Sequence, residues 1–251
     1  MLGVASPFRL QTIDPRLSAA LRVAFFVTCL VDTLAPQVGR ATVELLERLG
    51  VEVVFPRAQI CCGQLHRNAG YVREAAALAR RYGEVFAGFD AIVTPSGSCA
   101  GHVRAHVPEL APEAAPAAAA TLELSELIVE RLGVLDVGSR FSGSVTYHPT
   151  CHSLRVLGLG DSPQRLLGAV PGLELRPLGE ATECCGFGGT FAVKNAAVST
   201  AMLDDKLRHV VASEADVVTA CDSSCLLHIG GGLERRGAHV RTLHLAEVLA
   251  S

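Results

Sequence analysis

Glu183-Cys184-Cys185-Gly186-Phe187-Gly188-Gly189 is the stretch around which this chain is organised. The same Cys-Cys-Gly unit stands at Cys61-Cys62-Gly63, and each copy has a lone cysteine well upstream and another well downstream. Cys29 lies 32 positions before Cys61 and Cys151 lies 33 before Cys184; Cys99 follows Cys62 by 37 positions and Cys225 follows Cys185 by 40. Eight of the nine cysteines fall into this frame, which reads as a duplicated structural unit. The period of about 122 residues is too long for a solenoid and suits two similar halves, expected over residues 1–138 and 139–251.

The 251 residues suffice to bury a large core, and 49% hydrophobic against 19% charged residues is the composition of a globular chain with well-buried strands. A formal charge of -3, with no long run of either sign, gives no support to a nucleic-acid or acidic-lipid surface. No apolar stretch reaches membrane-span length, and no leader or cleavage site is evident. The expected location is therefore cytoplasmic, where thiols stay reduced and nine cysteines read as metal ligands or redox groups before structural disulfides.

Residues 1–20 read as an extended arm. Strands are expected at Leu21 to Val27, Val51 to Phe55 and Ala91 to Thr94 in the first half, and at Ser144 to Tyr147, Leu173 to Leu175 and Asp216 to Ala220 in the second. Helices are expected between them: from Pro36 to a stop at Gly50, from Tyr71 to Phe86, from Ser162 as N-cap, and from Ala196 to Val211, with closing helices ending at Gly133 and over Leu243 to Leu249. Asp136 to Ser144 reads as the linker. This alternation predicts an α/β fold in which each half is a parallel sheet flanked by helices, with the Cys-rich loops at the strand ends, where open α/β sheets bind ligands.

Two sets of four cysteines fit thiolate-held iron–sulfur clusters. Adjacent cysteines in a strand would point to opposite faces, so both can serve one centre only from an irregular loop; Gly63, Gly186, Gly188 and Gly189 permit that loop and let backbone N–H groups approach sulfur. Zinc is a rival, although structural zinc sites favour closely spaced CxxC pairs and the chain has none. A thiol–disulfide enzyme is another, with Cys221 and Cys225 as its nearest approach to CxxC.

The segments FFVTCLVDTLAP, FPRAQICCGQ, PSGSCAG, YHPTCHSLRVLG, ECCGFGGTFAVKN, SSCLLHIGG and HLAEVL run in order over nearly the whole chain. They resemble the cysteine-rich domain shared by heterodisulfide reductase, the glycolate oxidase iron–sulfur subunit and, most closely, the lactate-utilisation protein A family. The resemblance implies an iron–sulfur protein with clusters of 4Fe-4S type, held by Cys29, Cys61, Cys62, Cys99, Cys151, Cys184, Cys185 and Cys225. It also implies partner subunits, a second iron–sulfur protein among them, in the oxidation of L-lactate to pyruvate, and a chain inactive alone. A heterodisulfide-reductase-like thiol redox role, or glycolate as substrate, is the alternative. The related pattern ends each frame in CxxC, whereas Ser96 and Asp222 stand three positions before Cys99 and Cys225 here, leaving four thiolates per site and Cys221 outside the frame.

His148, His152, Gln64 and His66 flank the cysteines as candidate hydrogen-bond donors or substrate contacts, and Lys194 and Arg155 as candidate counter-charges. Gly186 to Thr190 does not satisfy G-x-G-x-x-G and follows a cysteine pair, so it is not read as a nucleotide loop.

Overall fold

The computed structural model describes residues 21–251, and the arm expected over residues 1–20 lies outside them. The first sheet contains β1 (Arg22–Phe25), β2 (Glu52–Val54), β3 (Ile92–Thr94) and β4 (Thr121–Glu123) in the order β2-β1-β3-β4. The second contains β5 (Gly143–Tyr147), β6 (Leu173–Arg176), β7 (Val217–Ala220) and β8 (Arg241–His244) in the order β6-β5-β7-β8. Every pairing is parallel. Ala24 in β1 pairs with Val54 and Ile92, and Thr146 in β5 pairs with Arg176 and Val218; both sit five positions before the lone cysteine, so the duplication extends to the register. The chain is thus α/β with two similar halves.

Parallel neighbours need long crossovers, and helices supply them. Pro36–Arg48, Val72–Val85 and Gly97–Leu110 connect the first sheet, and Ser162–Gly168, Ala196–Ala212 and Ser223–Arg235 the second. Pro36 opens its helix in the first turn, where a missing N–H costs nothing. Val38, Ala41, Leu45 and Leu46 form its buried face, and burial of Leu45 and Leu46 contributes about 1.5–3 kcal/mol each. Gly50, at φ 77°, ends it in the left-handed region.

Four expectations need correction. Each sheet has a fourth strand, β4 and β8, that the sequence pattern did not show, since three or four residues mixing Thr, Glu, Arg and His carry no period. The closing helix begins at Leu245 because Leu243 and His244 belong to β8. Ser162 lies inside its helix, after Asp161 at the cap position, and its hydroxyl donates to the Glu130 carboxylate at 3.0 Å. The helix ending before Gly133 is one turn, Leu124–Glu126, running into a π-helical Leu127–Arg131.

Each half has a buried cluster of its own, and a third is shared between them. Leu45 and Leu46 of the first half belong to the same buried cluster as Leu166, Leu167, Leu245 and Leu249 of the second. The Arg48 guanidinium donates to the carbonyls of Leu249 and Ala250 at 3.4 and 2.6 Å, tying the last helix to the first half. Residues 136–144 connect the sheets but pack against the second half, with the Arg140 and Phe141 N–H groups donating to Ser251 and Pro171. Among the described residues, no helix is long and apolar enough to cross a membrane.

Candidate functional site

Every cysteine of the frame follows the end of a strand or opens the helix after it. Cys29 begins the helix Cys29–Leu34 behind β1, and Cys151 follows β5. Cys99 and Cys225 lie in the first turns of Gly97–Leu110 and Ser223–Arg235, behind the central strands β3 and β7. Both Cys-Cys pairs lie in irregular loops. Gly63 and Gly186, at φ 90° and 88°, turn these loops so that their own N–H groups donate to Cys61 Sγ at 3.5 Å and Cys184 Sγ at 3.3 Å. A Cβ at Gly186 would also stand 2.5 Å from the Ser199 carbonyl oxygen, so no other residue fits.

All eight frame cysteines line a single cavity of about 100 Å³ between the two halves. Within the first set, Cys29 and Cys61 sulfurs are 3.5 Å apart and Cys62 and Cys99 sulfurs 3.4 Å; in the second, Cys151 and Cys184 are 4.0 Å apart. None is in a disulfide, and both sets have the same gradient of exposure: Cys29, Cys61, Cys151 and Cys184 half-buried, Cys62, Cys99, Cys185 and Cys225 buried. Hydrogen bonds from Cys29 and Cys62, then from the Gly63 N–H, hold the Cys61 thiol far below its ordinary range. Cys151, Cys185 and the Gly186 N–H do the same for Cys184. The neighbouring sulfurs, and then burial, push Cys62 and Cys185 up. Each set thus favours the thiolate form at one cysteine, the species that binds a soft metal.

Cys221 stands apart. It is fully buried at the end of β7, does not line the cavity, and belongs to the shared core, with the Tyr147 hydroxyl 3.5 Å from its sulfur. Burial raises its thiol well above the ordinary range.

The residues standing three before Cys99 and Cys225 join the halves. Buried Asp222 accepts hydrogen bonds on Oδ1 from Ser96 Oγ at 2.8 Å, Ser98 Oγ at 2.7 Å and Ser98 N–H at 3.0 Å, and on Oδ2 from Thr150 Oγ1 at 2.5 Å. Asp222 occupies the N-cap position of Ser223–Arg235, yet its carboxylate caps Gly97–Leu110 in the other half. Asp222 also lines the cavity, and both its oxygens are engaged in hydrogen bonds to these residues. Close packing at this seam also explains Gly97: a Cβ there would lie 1.8 Å from Ser153 Oγ.

Of the other candidates, Gln64 and His152 line the cavity, Gln64 donating to the Ser98 carbonyl at 3.3 Å and His152 Nδ1 lying 3.6 Å from Cys151 Sγ. His66, Lys194 and Arg155 do not line it; Arg155 instead donates to the Thr182 carbonyl at 3.0 Å. His148 does not line the cavity either; it is fully buried behind the second set, a ring nitrogen within 4.8 Å of Cys185 and Cys225 sulfurs, and burial holds its imidazole neutral, with a pKa of about 3.

Sequence reasoning missed two residues. Buried Lys206 donates to the Glu180 and Ala181 carbonyls at 2.7 and 3.4 Å, pinning the loop that leads to Cys184; a lysine inside an amphipathic helix gives no such signal. His102 is buried beside Cys62 and held neutral by that burial, with a pKa of about 4. The matched spacings Cys99 to His102 and Cys225 to His228 would have revealed it.

A protein-family model described as a CCG cysteine-rich domain matches residues 23–104 and again residues 145–230. Lactate utilization protein A of Geobacillus kaustophilus is 49% identical over 235 residues, 91% of this chain and 98% of that protein. The protein of the same name from an Exiguobacterium species is 48% identical over 235 residues, 90% of this chain and 96% of that one. Among solved structures, a hypothetical protein from Helicobacter pylori aligns with a TM-score of 0.61 at 10% identity, over 91% of this chain and 48% of that chain, a likeness of fold alone.

Proposed function

Because the chain belongs to the CCG cysteine-rich domain family and, within it, to the lactate utilization protein A family, we propose that it is an iron–sulfur electron-transfer subunit of a multi-subunit system oxidising L-lactate to pyruvate. The observation that carries this reading is the convergence of all eight frame cysteines on one cavity.

The donors fit the group. Iron–sulfur clusters are held by about four thiolates each and stabilised by N–H groups aimed at sulfur. Cys29, Cys61, Cys62 and Cys99 would hold one cluster, and Cys151, Cys184, Cys185 and Cys225 a second, each of 4Fe-4S type. Such clusters pass electrons singly. The chain's own part is to hold the thiolates, supply the Gly63 and Gly186 N–H groups, and fix the spacing of the halves through Asp222. Nine free thiols agree with a reducing, cytoplasmic compartment.

Taking two electrons from a 2-hydroxy acid needs a base and a hydride acceptor such as a flavin or nicotinamide, which partner subunits would supply, a second iron–sulfur protein among them. The purified chain is expected to show no lactate-dependent dye reduction, and mixing with its co-purifying partners to restore it. Steady turnover by the single chain contradicts the subunit role, and restoration with glycolate but not lactate contradicts the substrate.

One observation favours a thiol–disulfide role instead: Cys61 and Cys184, whose neighbouring sulfurs lower their pKa, lie within 4.0 Å of Cys29 and Cys151. Full activity in a partner-reconstituted assay with metal-free protein would establish it.

A further inference from the structure

The two cysteine sets occupy matching places, but what stands behind them differs. Phe26 and His148 each lie three positions before the lone cysteine of their half, and each is the first residue after the central strand. The Phe26 N–H donates to the Val93 carbonyl at 2.8 Å and the His148 N–H to the Thr219 carbonyl at 2.8 Å, so the backbones are equivalent. Phe26 packs edge-on against Tyr82 and Phe86, with ring centroids 5.2 and 5.5 Å away. It offers the first set nothing polar, and His102, whose buried ring nitrogens also lack a partner, forms no group with two of that set's sulfurs among the described residues.

His148 is as deeply buried as Phe26, yet among the described residues neither of its ring nitrogens has a hydrogen-bond partner. A buried polar group without a partner is costly, and such a group in a native structure calls for a missing atom. The atom it lacks is located by its neighbours: a ring nitrogen of His148 and the sulfurs of Cys185 and Cys225 lie within 4.8 Å of one another, all three residues buried. Imidazole nitrogen and thiolate sulfur are both ligands for iron.

We propose that His148 is a metal ligand of the second centre, joining Cys185 and Cys225, so that the two centres of this chain differ in donor set. The second has five donors, His148 with Cys151, Cys184, Cys185 and Cys225; the first has the four sulfurs alone. The imidazole joins the four thiolates and replaces none, so the second centre differs from the first in ligand field at equal thiolate charge, and the two are expected to differ in reduction potential. This rests on the iron–sulfur reading given above.

The test is pulsed electron paramagnetic resonance of anaerobically purified, dithionite-reduced protein labelled with nitrogen-15 in histidine only, with iron and acid-labile sulfide measured on the same sample. The expected spectrum contains a coupling of the strength of a directly bound imidazole. It is lost in His148→Phe, which places in the second half the residue of the first, and kept in His228→Phe. A redox titration of His148→Phe is expected to shift one midpoint potential and leave the other in place. Iron and sulfide with only weak, through-space nitrogen coupling in the wild type overturn the ligand and spare the iron–sulfur reading. That spectrum decides the matter even if His148→Phe fails to fold. A sample without iron and sulfide overturns both.

Discussion

Cys221 and Cys225 are four residues apart and differ in everything that bears on metal binding. Cys225 lines the cavity in the first turn of a helix; Cys221 lies in the shared core against the Tyr147 ring and hydroxyl. Cys221→Ser is therefore expected to keep most of the bound iron and lose stability, by about 1–3 kcal/mol for a hydroxyl placed in an apolar site. Cys225→Ser is expected to lose the iron of its own set. Iron analysis of the two variants, with a denaturation midpoint for each, checks this, and equal iron loss would make Cys221 a ligand. The eight candidate cysteines were legible because a duplicated frame distinguishes them from a ninth, structural cysteine. The partners of Asp222 were not, because Ser96, Ser98 and Thr150 lie 72 to 126 positions away and no local pattern brings them together.

Two short elements carry consequences for stability. Each sheet ends in a strand that leads directly into a capping box, Glu123 with Glu126 after β4 and His244 with Glu247 after β8. Glu123 is fully buried, accepts hydrogen bonds from the Ser125 N–H and hydroxyl on Oε2, and has no partner for Oε1 among the described residues. Burial raises its pKa from 4.5 to about 7. The folded state thus holds the proton where the unfolded chain has released it, and this contribution, complete below pH 4.5, is lost as pH rises toward 7. The loss amounts to about 3 kcal/mol. Glu123→Gln keeps an acceptor for Ser125 without the ionisation. Chemical denaturation at about pH 5 and about pH 8, on either side of that shift, should show the wild type losing more stability than the variant over that interval; equal losses would contradict a buried ionising carboxyl. The seam between the two cysteine-bearing helices depends likewise on Asp222. Asp222→Ala leaves the buried Ser96 and Thr150 hydroxyls and the half-buried Ser98 hydroxyl and N–H without their acceptor, and a loss of roughly 2–4 kcal/mol is expected in the same measurement.

At the scale of the whole molecule, the α/β class, the doubling and the position of the cysteines beyond strand ends could be read from the chain, because strands such as those holding Val93 and Val218, with their flanking helices, carry strong apolar periods. The fourth strands could not, being too short and polar, nor could the helix Gly97–Leu110, whose glycines and Pro108 conceal it. Nothing in the spacing of the cysteines foretold that both sets would line one cavity, since that depends on how the halves pack through Leu45, Leu46, Leu245 and Leu249. The shared cavity makes the number of centres the decisive question. Anaerobic purification followed by iron and acid-labile sulfide analysis, on the wild type, Cys61→Ser and Cys184→Ser, answers it. The expected result is iron and sulfide together in the wild type, with each variant losing about half of both because each set holds its own cluster; a fully occupied zinc protein without sulfide would contradict it, as would complete loss of iron from either single variant.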